Sequence, residues 1–173
     1  MKKIKKLEAA QRNLKAAIRL FFEERDAVAV HTLAAAAQGV LRDIARSRNL
    51  DHTSILHDHP HVDQEVRREW INALNAPRNF FKHADKDPEG SLEFDEHENV
   101  LVLLDAVLIL FELHAHIQEA GVFIGWFTTA NPKMRSAISG NQIGDYCVRN
   151  NIRPDEMGRF LEMLDSRILI EPI

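Results

Sequence analysis

A fixed cation and a proton-transfer group lie close together in the middle of the chain, in the segment Ala76-Pro77-Arg78-Asn79-Phe80-Phe81-Lys82-His83-Ala84. A guanidinium neutralises phosphate oxygens through paired N–H donors, and an imidazole that titrates near neutrality can move a proton. Together they suit cleavage of a phosphodiester, and that chemistry requires no metal or other cofactor. With the 2′-hydroxyl of RNA as nucleophile the product is a 2′,3′-cyclic phosphate, and DNA is inert. On a helix Asn79 and His83 are four residues apart and share a face. Arg78 and His83 are about 140° apart at roughly 100° per residue, so the guanidinium has to reach around or the helix has to start there. The same residues also admit a purely structural role, with Arg78 paired to a carboxylate such as Asp105 and His83 capping or packing the turn.

Two other constellations carry chemistry. In the stretch from Leu50 to Val62, LDHTSILHDHPHV, the residues His57, His59 and His61 alternate. Extended backbone would turn all three rings to one side, beside Asp58 and Asp63, as candidate ligands for a transition metal; Pro60 disturbs the run. His31, the His57-Asp58 pair and Asp105 follow in order the pattern of HD-type metal phosphohydrolases. His114 and His116 are two apart, about 200° around a helix, and cannot chelate together. Asp105 stands between Leu104 and Ala106 in a segment apolar on nearly every side. A buried carboxylate must be paired, protonated or at an interface, and the expected partner is Arg78 or Arg42. Trp70, Phe80, Phe81, Phe111 and Trp126 read as core side chains rather than base-stacking platforms. Cys147, beside Tyr146, has no recognisable nucleophile context.

Arg78, the polar Asn79 and His83 after four intervening residues resemble the Arg-x4–6-His signature of the HEPN superfamily; the match covers six residues and their helical surroundings. The resemblance implies an all-α bundle, often dimeric, and a metal-independent ribonuclease of a toxin–antitoxin or defence type. It assigns Arg78 to phosphate binding, His83 to acid/base work and Asn79 to positioning, with two copies of the motif meeting across a homodimer. RNA is then the substrate and an antitoxin the expected protein partner. Two features depart from the pattern. The acidic run Asp85, Asp87, Glu89, Glu93, Asp95 and Glu96 follows the motif and repels RNA unless it folds away or binds something else. The roughly 50 residues after Gly121 exceed what a minimal bundle of this kind needs.

The elements that must position these groups are helical. At 173 residues, 45% hydrophobic and 28% charged, the chain reads as one globular domain, 1–173. Seven Gly and six Pro are too few for a turn-dense β architecture. Leu7, Ala10, Leu14, Ala17, Ile18 and Phe21 recur at helical spacing and predict a helix over 5–24. Asp26 can cap a second helix along Val30, Leu33, Ala37, Val40, Leu41 and Ile44, antiparallel to the first, in which Ala34 to Ala37 permit close approach. Residues 50–62 read as a loop. A helix begins at Asp63 and runs to Pro77, where the chain bends or starts a new turn that continues to Ala84. After the acidic connection, a helix runs from about Glu98 to Ala120 with Gly121 as terminator. Beyond it Ser139 and Gly140 look like a break, and Pro154-Asp155 opens a last helix through Phe160, Leu161 and Leu164. The expected fold is all-α: an antiparallel bundle of four to five main helices, core about 5–120, with a helical C-terminal extension over about 121–173.

The net charge of −4 excludes a global positive field for nucleic acid, so RNA contact would be local, at Lys2, Lys3, Lys5 and Lys6 or at Arg67, Arg68, Arg78 and Lys82. One cysteine cannot form an internal disulfide, and the basic start lacks the apolar stretch of a signal peptide, which points to the cytoplasm. Val100 to Phe111, broken by Asp105, is well short of the roughly 20 residues that cross a bilayer, so no membrane role is expected. Besides the ribonuclease, the pattern allows a non-catalytic protein-interaction module and an HD-like phosphohydrolase.

Overall fold

The computed structural model describes residues 1–50, 54–58, 63–85, 87–138 and 142–166, and its regular elements are all helical. They are α1 (Lys6–Phe22), α2 (Ala27–Ser47), α3 (Gln64–Phe80), α4 (Glu98–Glu112), α5 (Gln118–Ala130), α6 (Gln142–Arg149) and α7 (Met157–Asp165), with a 3-10 turn over Pro132–Ala137. No described helix is long and apolar enough to cross a membrane.

Both predicted apolar stripes face the core, but Leu7, Phe21, Leu33, Val40 and Ile44 are only partly buried, and Phe22, Ala34 and Ala45 are buried beside them. α1 buries Ala10, Leu14, Ala17, Ile18 and Phe22, and α2 buries Val30, Ala34, Ala37, Leu41 and Ala45. The Asp26 side chain accepts from the Ala29 amide at 2.9 Å, satisfying one of the free N–H groups at the start of α2. α2 lies between α1 and α4, and the fully buried Ala34 and Ala37 let its neighbours come close. α4 is the expected core helix, with Leu103, Ala106, Val107, Ile109 and Leu110 shut off from solvent.

α4 stops at Glu112, eight residues before the expected end, and Gly121 lies inside α5 instead of terminating a helix. The stop is made by His114, whose φ of 52° puts it in the left-handed region, and by the Ala115 amide donating back to the Leu110 carbonyl at 3.1 Å. Glu24, Asn49 and Asn151 end α1, α2 and α6 by the same device, with amide-to-carbonyl bonds from Arg25 to Leu20, Leu50 to Ala45 and Ile152 to Cys147.

Residues beyond 121 join the same core as the N-terminal helices. The Phe22 ring stacks on Phe160 at 5.5 Å, Phe21 meets Trp126 edge-on at 4.9 Å, and the Trp126 indole donates to the Pro154 carbonyl at 3.0 Å. Buried Glu119 accepts from Arg19 at 3.2 Å, and Arg19 also reaches Asp165, which ties α1 to α5 and α7. α6 seats on α5 at Gly125, where a Cβ would fall 2.3 Å from Ile143 Cγ2. Ser139 and Gly140, the expected break, and the apolar tail at 168–173 lie outside the described residues.

Candidate functional site

The motif sits at the C-terminal end of α3. Asp63 opens this helix, its carboxylate accepting from the Glu65 amide at 3.2 Å. Pro77 lies inside the last turn, and the helix ends at Phe80 rather than continuing to Ala84. The Phe81 amide closes onto the Pro77 carbonyl at 2.9 Å, and the His83 amide onto the Asn79 carbonyl at 3.1 Å. That last bond keeps Asn79 and His83 one turn apart on the same wall.

Both side chains are exposed, and both line an open cleft of about 570 Å³ together with Phe80, Asp85, Asp87 and Ser91. The acidic connection is folded against this wall. Phe94 anchors it, its ring meeting Phe81 and His31 edge-on, each at 5.2 Å.

Arg78 points to the other side of α3. Its guanidinium rests on Gly39 of α2, where a Cβ would come between 2.9 and 3.2 Å from Nη2, Nη1 and Cζ. There it lines a cavity of about 20 Å³ with His31, Gln38, His57 and Asn75. Among the described residues it makes no hydrogen bond or ion pair. Within one chain the structure therefore brings Asn79 and His83 together and sets Arg78 apart from them.

Asp105 is fully buried, as its surroundings demanded, but its partner is not an arginine. It accepts from Gln38 Nε2 at 2.7 Å, Ser54 Oγ at 2.8 Å and the Ile55 amide at 2.7 Å, three neutral donors that straddle α2 and the 54–58 loop. Neither Arg78 nor Arg42 reaches it. Arg42 instead grips Asp58 through Nε at 2.8 Å and through Nη2, with Arg46 adding a bond at 2.9 Å. The Arg42 guanidinium holds the Asp58 carboxyl below the ordinary carboxylate range.

The same amide fixes His57. Gln38 Nε2 lies 3.0 Å from His57 Nδ1, and since it can only donate, Nδ1 is the acceptor and the ring proton sits on Nε2. Burial first, then the nearby Arg42 charge, push the His57 pKa down, so the ring is neutral at physiological pH. Ser54, His57 and Asp105 adjoin one another without forming a nucleophile. The Ser54 hydroxyl donates to Asp105, is 3.4 Å from the imidazole, and is sealed from solvent. The loop is further held by Trp70 Nε1 on the Leu56 carbonyl at 2.7 Å and Arg67 Nη1 on the His57 carbonyl at 3.4 Å. Trp70, expected in the core, is 43% exposed.

Of the three alternating histidines, His57 is turned inward onto Gln38, and His59 and His61 lie outside the described residues. Among the described residues no three His, Cys, Asp or Glu side chains gather as a metal-holding group. The HD-type quartet is dispersed in its bonding: His31 faces Asn99 at 3.0 Å, Asp58 faces Arg42 and Asp105 faces its three donors, while His31 and His57 share the small cavity. Cys147 is buried, and burial pushes its thiol up, away from reactivity.

Sequence reasoning missed Gln38, Gly39 and Ser54. The signals were a lone amide in an apolar stripe and a glycine in mid-helix, where it costs about 1 kcal/mol unless something comes close. Compared with family models, curated proteins and solved structures, the chain matches none.

Proposed function

We propose that the chain is a HEPN-like, metal-independent endoribonuclease acting as a homodimer. The observation that supports this is the unpaired guanidinium. Asp105 takes all its bonds from neutral donors, so Arg78 keeps its charge uncompensated by any described residue, while the His83 side chain stands exposed on the neighbouring wall. An anion-binding cation and a solvent-accessible imidazole are what phosphodiester cleavage needs. Because Arg78 and His83 of one chain line different cavities, the pair is completed between copies, Arg78 of one beside the partner subunit's His83. One imidazole takes the proton of the RNA 2′-hydroxyl. O2′ attacks phosphorus, the P–O5′ bond breaks, and the second imidazole, entering protonated, gives its proton to the departing 5′-oxygen. The products are a 2′,3′-cyclic phosphate and a 5′-hydroxyl, with no metal consumed. Asn79 positions the reacting ribose-phosphate.

The test is cleavage of RNA by purified protein in EDTA, with product ends read by mass spectrometry. His83→Ala and Arg78→Ala should each abolish cleavage while the circular dichroism spectrum is kept, and mixing the two variants should restore part of it. His83→Ala protein that cuts as well as wild type sinks the assignment.

A second reading, a non-catalytic interaction module, is favoured by one observation. α3 exposes Val66 and Trp70, one turn apart and 50% and 43% accessible, beside the exposed Ile55. Co-purification of one specific partner, such as an antitoxin, with no RNA cleavage would select it.

A further inference from the structure

We infer that the small cavity between α2, α3 and the 54–58 loop holds a single water molecule, which bridges His31 Nε2 and the guanidinium of Arg78. The inference starts from Asn99. Its Nδ2 donates to the Ala27 carbonyl at 3.0 Å, so the amide oxygen is the atom that faces His31 Nδ1 at 3.0 Å. Nδ1 is therefore the protonated nitrogen, and Nε2 carries a bare lone pair.

That lone pair has no partner, although His31 is only 1% exposed. Burial disfavours protonating it, and the rings nearest the imidazole, Phe81 and Phe94, are apolar. An unsatisfied acceptor in such a place is costly, and native interiors fill the need with ordered water wherever there is room.

There is room for one. His31 lines a cavity of about 20 Å³ shared with Gln38, His57, Asn75 and Arg78. A water needs about 10–15 Å³ and two to four polar partners. The wall offers complementary groups: Nε2 needs a donor, and the Arg78 N–H groups, unpaired among the described residues, need an acceptor. One water supplies both. Gln38 Nε2 is committed to Asp105 and His57, so it does not compete.

The bridge makes His31 a positioning residue for Arg78 at one remove. A neutral ligand keeps the guanidinium on its Gly39 seat without cancelling its charge, which a carboxylate in the same place would do. The inference stands whether or not the chain cuts RNA.

A crystal structure of the full chain at high resolution, with long-range ¹H–¹⁵N spectra of the histidines, tests it. The expected results are density for one water within about 3.2 Å of both His31 Nε2 and the guanidinium, and a His31 ring protonated at Nδ1 alone. In His31→Phe the density should vanish and the Arg78 Nε–H should exchange with solvent faster than in wild type. An empty cavity, a proton on Nε2, or Arg78 bonded directly to His31 would overturn the proposal. The wild-type measurements decide it even if the variant does not fold, and none of them reads RNA cleavage.

Discussion

On the side of α3 that faces α2, Gln38, Ser54, His57 and Asp105 satisfy one another in a space closed to solvent. On the opposite side Asn79, His83, Asp85 and Asp87 stand around an open cleft of about 570 Å³. Polar groups without water must commit each donor to one acceptor, so the inner imidazole, His57, is locked in a single neutral tautomer. The outer imidazole, His83, carries no such commitment: its ring is exposed on the wall of the cleft. The same side-chain type thus serves as a buried hydrogen-bonding part at His31 and His57 and stands exposed at His83. Arg78 is the exception that joins the two sides, being packed like an inner residue and unpaired like an outer one.

The largest effect that tests this contrast should come from Asp105→Ala. It strands the Gln38 amide, the Ser54 hydroxyl and the Ile55 N–H together, and should cost about 4 kcal/mol in urea unfolding, with fast amide exchange at Ile55. A loss under about 1 kcal/mol would mean that the inner network carries little. Acid is the next lever. The pKa values of His31 and His57 are both lowered from 6.5, mainly by burial, so below that pH the unfolded chain binds protons that the fold excludes. Their contribution is fully present above pH 6.5 and is lost as the pH falls toward the folded-state values. The Asp58 contribution, with its pKa lowered from 3.8 by Arg42, is lost only below about pH 4. Urea midpoints between pH 8 and 3 should therefore fall in two stages, and a flat profile from 8 to 5 would contradict the buried-neutral assignment.

Gly39→Ala places a methyl against the guanidinium but also favours the helix, so stability should change by about 1 kcal/mol or less. Its signature is a released Arg78, read as faster exchange of its Nε–H; an unmoved Arg78 would show that the seat is not as tight as described. His83→Ala should be the mildest, within about 0.5 kcal/mol of wild type in the same urea assay, because the ring is exposed.

The helices that bear on the site were legible wherever one apolar stripe faced one polar side. α1 and α2 followed their periodicity, and Asp26 and Asp63 marked real starts. The break between α4 and α5 was not legible, because His114 takes the left-handed position that glycine usually announces, while Gly121 serves mid-helix. Asp105 could be recognised as buried and in need of partners. Its partners could not be named, since a main-chain amide and two neutral side chains leave no charge pattern to read. The motif singled out Arg78, Asn79 and His83 as candidates, but the turn of α3 against Gly39 is set by packing between distant segments, and that is where Arg78 parts from His83.

The two tryptophans divide the molecule between them. Trp126 is packed among Phe21, Phe22 and Phe123, while the half-exposed indole of Trp70 holds the Leu56 carbonyl and so touches the loop that covers the inner side of α3. Emission from a Trp126→Phe protein would then follow the detachment of that loop alone, and emission from Trp70→Phe would follow melting of the core. The chain carries its own pair of optical probes, one for a local opening and one for global collapse.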